Sequence, residues 1–91
     1  MTCLVIVDVT PVDPELLSQY SAKAAETLVP YNGQFIAKGE TEVLHGEAAH
    51  PLKAVIRFPD KESARNWYSS EAYQAIIPLR EQAIISHFHM I

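Results

Sequence analysis

Two histidines stand two residues apart near the carboxyl end, as His87-x-His89. Side chains at i and i+2 of a strand share a face, so this pair can chelate one metal, and imidazole suits zinc, copper or iron. A zinc site needs three or four protein ligands, however, and the spacing marks no third; His45 or Glu42 would have to be brought in by folding. The expectation is no metal, with both rings filling a wall or an edge of the sheet. A second constellation is Tyr68, Tyr73 and Arg80. Arg80 follows Tyr73 by seven residues and lies on nearly the same helix face, provided the helix survives Pro78. Such a group can hold an anionic ligand or tie a broken helix to the sheet. Polar groups at helix breaks more often satisfy backbone, which favours the second use. Trp67, beside them, reads as core.

Other chemistries find no residues to carry them. There is no nucleophile–base arrangement, and Gly33, Gly39 and Gly46 are too dispersed for a phosphate-binding loop or a dinucleotide fingerprint. No cofactor is expected. Cys3, the only cysteine, rules out an intrachain disulfide and lies in an apolar run, where a thiol is usually inert packing. That usage suits a reducing compartment, and the cytoplasm is the default assignment. The apolar run Leu4-Val5-Ile6-Val7 lacks a basic lead-in and is far too short for a signal segment or a membrane span. Seven Lys and Arg against eleven Asp and Glu give a net charge of −4, which argues against nucleic acid as a partner. A length of 91 residues is expected to form one domain, 1–91, with a modest core.

The elements that must position these side chains follow from periodicity. Residues 3–9 are rich in β-branched types and apolar on both faces, which reads as a central strand ended by Thr10-Pro11. Asp13-Pro14-Glu15 supplies an N-cap, a proline at the first helical position and an acid at the positive helix end. Leu16, Leu17, Tyr20, Ala24 and Leu28 then recur at helical spacing, giving a helix over 14–28, stopped by Pro30 and turned by Asn32-Gly33. A second strand is expected over 34–44, bulged or bent near Gly39. After a polar loop, residues 52–58 alternate cleanly as a third strand. Asp60 caps a helix that Ser69-Ser70 interrupts, Ser70 caps a further turn, and Pro78 is expected to break or restart it. Residues 79–84 resume helical character, and 85–91 form the last strand. The order β-α-β-β-α-β is a split βαβ, ferredoxin-like α+β plan. Right-handed crossovers place the first and third strands centrally, with both helices on one face of a four-stranded antiparallel sheet.

Helices on one face leave the other face to be covered. The first strand is apolar on both sides, so a second copy of the sheet is the economical cover, and a homodimer is expected. The stretch from Trp67 to Arg80, W-Y-S-S-E-A-Y-Q-A-I-I-P-L-R, closely resembles a W-Y-x-S-x-x-Y-Q-x-x-x-P-L-R signature of the domain of unknown function 1330 family. Val7-Asp8-Val9-Thr10 ahead of Asp13-Pro14, Tyr31-Asn32-Gly33-Gln34-Phe35, Val43-Leu44-His45-Gly46 and Phe58-Pro59 extend the resemblance over essentially the whole chain. The resemblance implies a dimeric α/β barrel of two ferredoxin-like sheets packed face to face. That architecture also hosts cofactor-independent monooxygenases, haem-degrading enzymes and muconolactone isomerase-like proteins, but for this family it implies no activity. The family commonly carries an acid where His45 stands and another where Arg57 stands, so the charge differs here at both positions.

Strand parity sharpens the candidate site. If Phe35 and Ala37 face the helices, then Gln34, Ile36 and Lys38 face the partner sheet, and Lys53, Val55 and Arg57 point the same way. Lys38, Arg57 and a histidine would then line a cavity between sheet and helices or between subunits, suited to a carboxylate or another small anion. The plainer use is ion pairing with Glu40, Glu42 or acids of the partner. The candidate ligand-binding residues are Lys38, Arg57, Tyr68, Tyr73, Arg80 and His87, with His87 or His45 as a proton carrier near neutral pH. Two functions compete. One is a dimeric protein binding a small acidic or aromatic metabolite, a reading that extends to a cofactor-free enzyme; the other is a non-catalytic assembly domain without a pocket.

Overall fold

A computed structural model describes all 91 residues. Strand β1 spans Cys3–Pro11, helix α1 Pro14–Leu28, β2 Gln34–Glu40, β3 Leu52–Phe58, α2 Lys61–Ser69, α3 Glu71–Ala83 and β4 Ile84–Met90, with a 3-10 turn at Val29–Tyr31. The four strands form one antiparallel sheet in the order β2-β3-β1-β4, with β1 and β3 central. This is the ferredoxin-like plan, and its helices pack on one face of the sheet.

Local chemistry sets the boundaries. The Asp13 carboxylate accepts from the backbone N–H groups of Glu15 and Leu16, and Asp60 accepts from that of Ser63. These satisfy donors that a helix start leaves orphaned. Ser70 has extended backbone angles (φ −63°, ψ 150°), which separates α2 from α3, and its hydroxyl accepts from the Tyr73 N–H. Pro78 does not break α3, contrary to the sequence expectation; the helix runs unbroken to Ala83. The lost bond to Gln74 is a single rung, and burial of Tyr73, Arg80 and Ala83 on either side of Pro78 holds the helix together.

The second strand departs further from its reading. It ends at Glu40 rather than 44, because the Thr41 N–H turns to the Pro51 carbonyl (2.9 Å) and closes the loop at its base. Its irregularity falls between Phe35 and Ala37, not at Gly39. One extra residue there reverses the facing of everything beyond it.

Buried residues alternate along β1 as Cys3, Val5, Val7 and Val9, and these join Ile56, Phe58 and Ile84 under the helices. Tyr20, Ala24, Leu28, Ala64, Trp67 and Tyr73 meet them from the helical side. Trp67 is core, as expected; its indole N–H donates to Thr27 Oγ1 (2.9 Å) and its ring lies against Phe58 and Tyr73. Gly33 is required where it stands, since a Cβ there would lie 2.7 Å from Phe58 Cε1 and 2.8 Å from Leu28 Cδ2. The molecule measures 33 × 31 × 16 Å, and that least dimension holds only a sheet and one helix layer. The opposite sheet face therefore carries half-buried Leu4, Ile6 and Val55 with exposed Ile36 and Ile85.

Candidate functional site

The candidate residues divide between the two sides of the sheet. Paired residues of adjacent antiparallel strands point to the same face. Lys38 pairs with Ala54 and Phe35 with Ile56, so the bulge at Ile36 places both Phe35 and Lys38 on the helix side. That corrects the parity argument, which put Lys38 beside Arg57. Arg57 pairs with Gln34 on the open face and donates to its side-chain carbonyl (2.9 Å). His87 and His89 pair with Asp8 and Ile6, which puts both on the open face too.

On the helix side lies a cavity of about 170 Å³ between the sheet and α1. Its wall is mainly apolar, built from Val7, Val9, Leu17, Ala24, Ile56 and Phe88. Its few polar lining residues are Tyr20, Ser21, Lys38 and Lys53, and the Lys53 ammonium is drawn to Asp8 (3.1 Å). The Lys38 ammonium sits 3.9 Å from the centroid of the Phe35 ring, a cation–π contact that keeps the charge beside the apolar lining.

Behind Tyr20 runs a polar network. The phenol oxygens of Tyr20 and Tyr73 are 2.7 Å apart. Arg80 donates from one terminal nitrogen to Tyr73 (3.2 Å) and to Tyr68 (3.0 Å), and from the other to Glu81 (2.8 Å). Its guanidinium carbon lies 5.0 Å from the Phe88 ring centroid, and its Nε–H has no partner in the protein. The residue is only 8% exposed, whereas the Glu81 side chain is 61% exposed, so a nearly buried cation is balanced by a largely solvated carboxylate. Burial works against the charge on Arg80, but the hydrogen bonds to Glu81, Tyr68 and Tyr73 outweigh it and hold its pKa above the ordinary value. Burial raises the pKa of Tyr20, reinforced by neighbouring Tyr73; burial also raises that of Tyr73, with the bonds to Tyr20 and Arg80 opposing it. Both phenols therefore stay protonated. Tyr20 read from sequence only as one member of an apolar stripe. The signal was its hydroxyl, since a phenol where phenylalanine would fill the stripe needs a buried partner.

On the open face, the loop 41–51 folds over one end of the sheet. Thr10 Oγ1 and His50 Nδ1 lie 2.8 Å apart, and the His50 ring meets that of His87 edge-on at 4.8 Å. Lys53 pairs with Asp8 (3.1 Å), so its partner is on the neighbouring strand rather than Glu40 or Glu42. A cavity of about 480 Å³ there is lined by His45, His50, His87 and acids that include Glu42 and Glu47. No three His, Cys, Asp or Glu side chains converge in a metal-holding geometry. Cys3 is fully buried, its Sγ 3.9 Å from Met90 Sδ.

A ferredoxin-like sheet with a largely apolar cavity under its helices defines the class of the protein. Its family follows from the sequence: residues 2–91 match the model of the domain of unknown function family DUF1330, and the chain belongs to that family. No curated protein matches it. Among solved structures, the chain is similar to a protein of unknown function from Rhodopseudomonas palustris (TM-score 0.79, 12% identity, 99% of this chain and 80% of that one). It is also similar to SnoaB, a cofactor-independent oxygenase from Streptomyces nogalater (0.73, 10%, 99% and 90%). A third is a dimeric ferredoxin-like protein of unknown function from Thermobifida fusca (0.64, 13%, 100% and 90%). At such identities the likeness is one of fold. No helix is long and apolar enough to cross a membrane.

Proposed function

We infer that the protein works as a homodimer in the cytoplasm, and that each subunit binds a small acidic or aromatic metabolite in the cavity between sheet and helices. The observation that carries the ligand is the pairing of a largely apolar wall with the Lys38 ammonium, held over Phe35, whereas the other lining lysine, Lys53, is paired with Asp8. Such a lining suits a flat apolar body with an acidic or electron-rich end. The reading extends to cofactor-independent enzyme chemistry, for which SnoaB supplies a precedent on this fold. The dimer is supported by the apolar residues of the open face and by dimeric neighbours such as the Thermobifida fusca protein.

The test is a thermal-shift series with benzoate and related small carboxylates, then with phenols. A ligand at a hundredfold excess over its dissociation constant adds about 2.7 kcal/mol of apparent stability. The carboxylate response should vanish in Lys38→Ala and persist in Arg57→Ala. Loss in Arg57→Ala alone would move the site to the open face. No response to any compound would favour the second reading, a non-catalytic assembly domain, which the apolar open face supports equally well.

A further inference from the structure

We propose that Tyr20 is the hydrogen-bond donor of this cavity, and that its ligand presents a carbonyl or enolate-type oxygen to it. The inference rests on the cavity reading above and deepens it. It follows from counting protons in the buried network. Arg80 has no acceptor capacity, so it donates to Tyr73 and fixes the Tyr73 oxygen as an acceptor. The Tyr20–Tyr73 contact at 2.7 Å holds one proton, yet the two phenols carry two. Whichever phenol donates, the other is left with a proton that no protein group accepts.

Position decides which one. Tyr73 is fully buried and is not among the residues lining this cavity, so an unpaired O–H there would bear the whole desolvation cost. Tyr20 lines the cavity, so its spare proton has somewhere to go. The network therefore runs from Arg80 to Tyr73 to Tyr20 and ends on an O–H aimed at the ligand space. Each donor polarises the next, and the guanidinium at the head of the chain strengthens the last donor most towards an oxygen that carries or develops negative charge. A ketone, a quinone or the enolate of a cyclic ketone matches that donor and the apolar walls together. Tyr20 is the binding group; Tyr73 and Arg80 position and polarise it.

Two probes of nearly equal shape separate the contributions: acetophenone, which offers a carbonyl oxygen, and α-methylstyrene, which does not. Wild-type protein should bind acetophenone about tenfold more tightly than α-methylstyrene, the usual size of one buried hydrogen bond. Tyr20→Phe should abolish that preference and leave α-methylstyrene affinity unchanged. A preference that survives Tyr20→Phe overturns the proposal, as does equal affinity of the wild type for the two probes, which would leave the cavity reading standing. If neither probe binds, cavity and donor fall together. The infrared carbonyl stretch of acetophenone bound to the wild type gives a readout that needs no variant. It should lie below its position in an apolar solvent and recover part of the difference in Tyr73→Phe; an unshifted stretch in the wild type overturns the proposal.

Discussion

Tyr20 and Tyr73 give the protein a weakness on the alkaline side. Burial raises the pKa of each above the ordinary phenol value of about 10. The folded state therefore holds protons that the unfolded state releases, so this contribution to stability is complete below pH of about 10 and falls as the pH rises beyond it. The slope approaches about 1.4 kcal/mol per pH unit for each phenol. Urea unfolding between pH of about 9 and about 11.5 should show that decline, and Tyr20→Phe should make it shallower. A stability that stays flat across the range would contradict the burial of both hydroxyls. At Gly33 the expected effect is steric. Alanine drives a Cβ into Phe58 and Leu28, both packed in the core, and should cost about 1–3 kcal/mol in urea unfolding. Wild-type stability in that variant would show that the two side chains yield freely. Individual residues were unevenly legible. Tyr68, Tyr73 and Arg80 could be grouped from spacing alone, because a helix fixes which residues stack. Tyr20 could not be joined to them, since its partner lies on a different helix 53 positions away.

The two interruptions in the helical region after β3 differ in kind. Ser70 is a true boundary, with its hydroxyl accepting from the Tyr73 N–H and donating to the Trp67 carbonyl (2.6 Å). Ser70→Ala should therefore cost about 1–2 kcal/mol, measured by urea unfolding, and a neutral result would mean that the helix start is held by packing alone. Pro78 sits inside a continuous helix and only removes one rung, so Pro78→Ala should stabilise by about 1–2 kcal/mol, net of the stiffness lost from the unfolded chain. No gain would mean that the helix is bent to fit its neighbours and cannot use the restored N–H. The sequence marked both positions but could not rank them, because propensity sees the missing donor and not the buried flanks that compensate for it. The second strand exposes the same limit in a sheet. Clean alternation in β3 gave the correct facing of Lys53, Val55 and Arg57, whereas one bulged residue in β2 carried Lys38 to the other side of the sheet. Registry beyond a bulge depends on pairing with the neighbouring strand, and no local pattern encodes it.

At the scale of the whole molecule, the unresolved balance is between the open face and water. Leu4, Ile6 and Val55 are half-buried on it, and Ile36 and Ile85 are 49% and 57% exposed. Apolar surface loses about 25 cal/mol per Å² by staying wet, so a sheet face of this kind favours a second layer over solvent. A copy of the same sheet is the cover that needs no further partner, and a two-fold axis would set each Val55 and Ile6 near the centre of the contact. Arg57 and His89 would then lie among the same residues, and the loop over Thr10 and His50 would bound the contact at one end. A charge placed at that centre should separate the subunits without unfolding them, because Ile6 and Val55 take no part in the buried core on the helix side. Light scattering on the wild type should give twice the 10.2 kDa chain mass, and Ile6→Glu or Val55→Glu should give the chain mass with unchanged far-ultraviolet circular dichroism. A monomeric wild type would refute the dimer outright. A variant that stays dimeric would move the contact to another surface, and the open face would then need a cover of its own.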